Sequence, residues 1–143
     1  MDALGEMTNE EFLIPNQSPM TNESNCQQEV DLEERTAAFG NSAILLAKTV
    51  PLTPITRPLV SQLVRSATSV GANYCEADDA ESRADFKHKI GICKKESREA
   101  KHWLRMLVTA VPEAREQARH LWQEAKELNL IFNAIVRSTE ANQ

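Results

Sequence analysis

Glycine is scarce in this chain, with 4 in 143 residues, and there is a single tyrosine. That shortage, beside abundant Ala, Glu, Lys, Arg and Leu, points to helices rather than sheets. No apolar run approaches the roughly 18 residues that a membrane span requires, so a membrane protein is not expected. The three cysteines, Cys26, Cys75 and Cys93, are odd in number and lack metal-ligand spacing. They predict reduced thiols in a cytosol rather than a disulfide framework, with Cys93 a small core residue. No glycine-rich phosphate loop is present, nor any convincing Ser/His/Asp or Cys/His set, and no cofactor is expected. The opening MDALGEMTNEEFLIPN has no Lys or Arg and no apolar run of signal-peptide length. Export is therefore not expected, and a cytoplasmic location is.

Basic residues are missing altogether from residues 1–30, which carry six acids: Asp2, Glu6, Glu10, Glu11, Glu23 and Glu29. The other 113 residues hold 15 acids and 16 bases, so the net charge of −5 conceals a nearly neutral body behind an acidic tail. Such a polar, aperiodic tail cannot bury enough apolar surface to offset its chain entropy, and it is expected to be disordered. Its one apolar patch, Phe12-Leu13-Ile14, is the part of it able to dock elsewhere.

What is present is helical periodicity. Residues 31–143 divide into four segments, at about 32–50, 57–79, 83–111 and 113–138. In the first, Leu32, Thr36, Phe39, Ala43, Leu46 and Val50 alternate steps of four and three, one stripe facing a core. Pro51, Pro54 and Pro58 separate it from the second, with Thr56 the expected N-cap and Pro58 tolerable only in a first turn. The second carries Val60, Leu63, Ala67, Val70, Tyr74 and Ala77. Ser82 to Asp85 resembles a capping box. The third stripe, Phe86, Ile90, Cys93, Ser97, Ala100, Leu104, Leu107 and Val111, keeps the same alternation without a slip, over a helix about 40 Å long at 1.5 Å per residue. After Pro112 the fourth places Ala118, Leu121, Ala125, Leu128, Phe132 and Ile135 at the same rhythm. Four comparable helices with short connections predict an all-α fold, an antiparallel up-down-up-down four-helix bundle behind the acidic tail.

The segment QLVRSATSVGANYCEA, residues 62–77, sets Ala67, Ser69, Gly71 and Ala72 inside the second helix. A helix-interior glycine costs about 0.5–1 kcal/mol relative to alanine, so Gly71 implies a close approach by a neighbour. The expected neighbour is the third helix or an adjacent subunit. Ile44 and Leu45 on the first helix and Leu130 and Ile131 on the fourth fall outside the stripes. They either widen the core face or, with Gly71, form a subunit interface.

The third helix concentrates charge. Between Arg83 and Arg105 lie eight bases and three acids. Lys87, Lys94, Arg98, Lys101 and Arg105 share one outward face, bordered by Lys95, His88 and His102. That stripe suits several phosphates, and an oligomeric ring would repeat it around an axis. The same pattern also describes a solvated face kept for solubility and local pairing, and the residues alone leave both readings open. No aromatic interleaves the stripe, so any binding is expected to be backbone-driven and salt-sensitive. Glu96 and Glu99 are candidates to pair with Arg65 or Arg35. A metal site is not expected: Glu99 and His102 make one Glu-x-x-His pair of the kind di-iron bundles use, without the second. Glu116 and His120, four apart, read as surface electrostatics. No catalytic activity is expected.

DLEERTAAF in the first helix, QLVRSATSVGANYCEA in the second and SRADFKHKIGICKKESREAKHWLRML in the third together resemble the four-helix bundle proteins of the 23S rRNA intervening-sequence type. That family also includes the accessory variability protein of diversity-generating retroelements. The resemblance covers roughly residues 31–137 and implies a homopentameric ring or barrel without catalytic activity. In retroelement-linked members it implies contact with nucleic acid and with a reverse transcriptase through basic outer surface. The chain's pI near 5.3 and its acidic tail depart from the strongly basic character of those members. Residues and resemblance together imply a non-enzymatic, homo-oligomeric scaffold that binds nucleic acid or a nucleic-acid enzyme, or alternatively a protein-interaction module.

Overall fold

Asp31 starts the first helix. Its Oδ1 accepts the backbone N–H groups of Glu33 at 3.1 Å and Glu34 at 3.3 Å, satisfying donors that an α-helix leaves unpaired at its N-terminus. In this computed structural model, which describes residues 31–142, α1 spans Leu32–Thr49, α2 Thr56–Asp78, α3 Arg83–Ala110 and α4 Arg115–Ala141. The acidic tail, with Cys26, lies outside the described residues. Among those described there are four α-helices and no strand.

Two boundaries differ from the expected ones for local reasons. Thr56 is the first residue of α2 rather than its N-cap. Thr53 does the capping instead, its Oγ1 accepting from the N–H groups of Ile55 at 3.2 Å and Thr56 at 3.1 Å. The Thr56 hydroxyl turns back into the connection and donates to the Pro51 carbonyl at 2.6 Å. The fourth helix starts later than residue 113, because Pro112–Ala114 form a single 3-10 turn before it. At α3 the Ser82 hydroxyl accepts the Asp85 N–H at 3.0 Å, the forward half of a capping box.

The stripes meet in one core. Phe39, Leu46, Leu63, Val70, Ile90, Cys93, Leu104, Leu107, Leu128 and Phe132 are all buried, while Val60, Tyr74, Phe86, Val111 and Ile135 pack half-buried at its edges. Burying each large side chain contributes about 1.5–3 kcal/mol relative to leaving it exposed. Sequential helices are neighbours, and α4 also touches α1. The pairings run in opposite order along each pair of sequential helices. Thr36 of α1 meets Gly71 of α2, and Gly40 meets Thr68. Between α2 and α3, Cys93 Sγ donates to the Val70 carbonyl at 3.5 Å, and Lys89 pairs with Glu76 at 2.6 Å. Between α3 and α4, Arg83 reaches the Asn142 carbonyl at 3.0 Å, and Asn129 donates to the Lys94 carbonyl at 2.8 Å.

Gly71 therefore marks a seam between α1 and α2, where the expectation was α2 against α3 or against an adjacent subunit. A Cβ on Gly71 would sit 3.4 Å from the carbonyl carbon and Oγ1 of Thr36. A glycine announces that something comes close, but its sequence does not say which helix. Thr36 suits the seam because its hydroxyl is already satisfied within α1, donating to the Leu32 carbonyl at 2.7 Å.

Candidate nucleic-acid interface

The charges of α3 are sorted by side. Glu96 and Glu99, three residues apart, face α2 and bind Arg65: its guanidinium reaches Glu96 at 3.2 Å and bonds directly to Glu99. The Trp103 indole also donates to Glu99, at 3.1 Å. Arg65 first, and Trp103 second, hold the Glu99 carboxyl below the usual carboxylate range. Glu99 is thus engaged in an inter-helix ion pair, and His102 beside it is exposed. Arg35, the other candidate partner, pairs with α4 instead, with Glu124 at 2.6 Å and Glu127 at 2.7 Å.

Two depressions lie along the α4-facing flank of α3. The one nearer the C-terminal end of α3, of about 710 Å³, is lined by Lys95, Glu96, Arg98, Glu99, Lys101, His102, Arg105 and Trp122, so the two acids held by Arg65 share it with the cations. The other, of about 990 Å³, includes Lys87, His88, Lys94, Lys95 and Arg98. Lys95 and Arg98 line both, so the basic surface is continuous. Among the described residues no acid forms an ion pair with Lys94, Lys95, Arg98, Lys101 or Arg105. Lys87 differs from them: its ammonium pairs with Glu140 of α4 at 3.0 Å, so part of its charge is already answered.

Trp122 was not identifiable from the sequence as part of this face. It is 2% exposed, and Lys101 lies 4.7 Å above its ring, with Lys126 at 5.7 Å. Such cation–π contacts fix an ammonium without neutralising it. The faint signal was the i, i+4 spacing of Trp122 and Lys126; the approach of Lys101 from another helix left none. Burial first, then the neighbouring charges of Lys126, Arg98 and Arg105, push the Lys101 ammonium below its ordinary value. An anion placed there would relieve that crowding. Trp122 is too enclosed to stack on a base, leaving phosphates as the accessible targets.

The proposed interface residues separate. Leu45, 62% exposed, lines a groove of about 650 Å³ between α1 and α4 together with Phe39, Leu46, His120 and Leu121. Ile44 is exposed but does not line it. Ile131 is half-buried and, seven residues from Glu124, lies on the α4 side that faces this groove. Leu130, 59% exposed, points about 120° away from Glu124 at 100° per residue. Gly71 lies at the α1–α2 seam, outside the α1–α4 groove.

Fold and face together define an all-helical, four-helix protein with one cation-rich flank. The chain belongs to the 23S rRNA-intervening sequence protein family, whose profile matches residues 28–134. Among solved structures, it is similar to a protein of unknown function from the S23 ribosomal protein family of Bacteroides thetaiotaomicron. The two are 30% identical, the match covers 73% of this chain and 97% of that one, and the TM-score is 0.64. No curated protein matches the chain significantly. Among the described residues no helix is long and apolar enough to cross a membrane.

Proposed function

We propose that this protein is a non-enzymatic, homo-oligomeric scaffold, an up-down-up-down bundle that holds nucleic acid by its phosphates along the α4-facing flank of α3. The opposite-order helix pairings support the bundle topology. The observation that carries the function is the sorting of charge on α3. Its acids Glu96 and Glu99 are held by Arg65 toward α2, while Lys94, Lys95, Arg98, Lys101 and Arg105 have no acidic partner among the described residues. Five such cations in a continuous strip favour phosphate binding over local pairing with acids.

Binding of a DNA duplex, followed by fluorescence anisotropy across a salt series, tests it. If all five cations engage phosphates, the slope of log K against log salt is about −4.5, a loss of about 500-fold from 50 to 200 mM. Replacing Lys94, Arg98, Lys101 and Arg105 by Glu should abolish binding while the helical circular dichroism stays unchanged. No salt-dependent binding even at low ionic strength refutes the proposal.

The α1–α4 groove favours a second reading for a different surface, self-association. Leu45 is a large apolar side chain exposed at the edge of a largely apolar groove, the kind of patch that interfaces cover. Light scattering should find an oligomer that Leu45→Glu dissociates; a monomeric wild type removes this reading and the homo-oligomeric part of the first, and leaves phosphate binding to its own test.

A further inference from the structure

Gly91 lies in the middle of α3, and a Cβ built on it meets nothing within 4 Å. The glycines of the α1–α2 seam admit a neighbouring helix; Gly91 admits none from within this bundle. A helix-interior glycine is unfavourable unless something uses the space. Here that space is the larger depression on the basic flank, whose lining combines Gly91, Ile92 and Val136 with Lys94, Lys95 and Arg98. A lining that mixes apolar side chains with cations is complementary to a short segment that carries carboxylates next to large apolar side chains.

The chain has such a segment. Glu10-Glu11-Phe12-Leu13-Ile14 sets two carboxylates directly before three large apolar residues, within thirty residues that contain no base. We propose that this segment docks in the α3–α4 groove, with Phe12, Leu13 and Ile14 on Ile92 and Val136 and with Glu10 and Glu11 against Lys94, Lys95 and Arg98. Sixteen residues separate Ile14 from Asp31. Extended, they reach about 55 Å, more than the roughly 42 Å length of α3, so the groove is within range of α1's first residue. The N-terminal segment would then compete with nucleic acid for Lys94, Lys95 and Arg98. That consequence rests on the phosphate-binding proposal; the docking itself does not.

The test is methyl NMR on the full chain, comparing wild type with a Phe12→Ser, Leu13→Ser, Ile14→Ser variant. The Ile92 and Val136 methyl signals should shift between the two, while the buried Leu63 and Leu104 methyls stay in place and report an intact fold. A synthetic peptide of residues 8–16, added to the variant at ~1 mM, the effective concentration typical of a short tether, should return the Ile92 and Val136 signals toward their wild-type positions. High salt should weaken that return. Identical Ile92 and Val136 signals in wild type and variant overturn the proposal, as does a peptide that leaves the variant's signals unmoved. In the anisotropy assay the variant should bind duplex several-fold more tightly than wild type. If neither protein binds duplex, the phosphate-binding reading fails, and the methyl signals still decide the docking.

Discussion

The same substitution, glycine to valine, should have opposite consequences at two helix-interior positions of this protein. Valine is a better helix former than glycine, and on propensity alone either change recovers roughly 0.3 kcal/mol. At Gly71 the added Cβ already stands at contact distance, 3.4 Å from two atoms of Thr36 and 3.5 Å from its carbonyl oxygen. The two further methyls of valine are held near a single side-chain rotamer in a helix and have little freedom to turn aside. Thr36 cannot give way readily, since it is buried and its hydroxyl is bonded to the carbonyls of Leu32 and Glu33. Forcing methyl groups into a packed seam costs about 1–3 kcal/mol, for a net loss of about 1–2.5 kcal/mol at Gly71. At Gly91 nothing opposes the side chain, and the propensity gain remains. Urea unfolding at matched protein concentration, followed by circular dichroism, reads both. With a slope of about 2 kcal/mol/M, Gly71→Val should lower the midpoint by roughly 0.5–1.2 M, and Gly91→Val should leave it level or slightly raised. Equal midpoints, or a larger loss at Gly91, would refute the assignment of Gly71 to a tight α1–α2 seam.

Removing the Phe132 ring from the centre of the core, where it is fully buried, should cost about 3–5 kcal/mol in Phe132→Ala, whereas Leu130→Ala two residues away should stay within about 0.5 kcal/mol; similar midpoints for the two would contradict the placement of the α4 stripe. Burial pushes the Cys93 thiol up to about 12 while Cys75 is exposed. Iodoacetamide at about pH 8 should therefore modify Cys75 in the native protein and reach Cys93 only after unfolding, as read by peptide mass spectrometry; equal labelling rates would show that the α2–α3 packing around Cys93 is open. The folded value of the Glu99 carboxyl is depressed, chiefly by its bond to Arg65. The stability it contributes is complete above the unfolded value of about 4.3 and is lost as pH falls through the lower folded value. The stability gap between wild type and Glu99→Gln should accordingly be widest near neutrality and close below about pH 4; a gap that does not change with pH would show that the carboxylate charge contributes nothing there.

The parts of this molecule legible in its sequence are those that a single helix encodes for itself. The alternation of four and three from Phe86 to Val111 identifies the buried side of α3 because burial on a regular helix repeats at that period, and every residue from Ile90 to Leu107 in that series is buried. What two helices decide together is not legible in the same way. Lys87 reads as a member of the basic stripe, yet its ion pair is with Glu140, fifty-three residues away and on another helix. Nothing in the sequence marks Trp122 as the bed on which Lys101 rests. The division of charge on α3 lies between these cases. A count of eight bases against three acids does not separate a binding face from a solvated one, because opposite charges on one helix can neutralise one another locally. The spacing says more: Glu96 and Glu99 are three apart and share one side, and neither shares a side with Lys94, which lies 200° and 500° from them at 100° per residue. Once Arg65 closes over those two carboxylates, the acids of α3 near the basic strip are no longer available to its lysines and arginines. A residue on α2 thereby leaves the α4-facing flank of α3 cationic, and Arg65→Ala should weaken duplex binding although Arg65 itself lines neither basic depression.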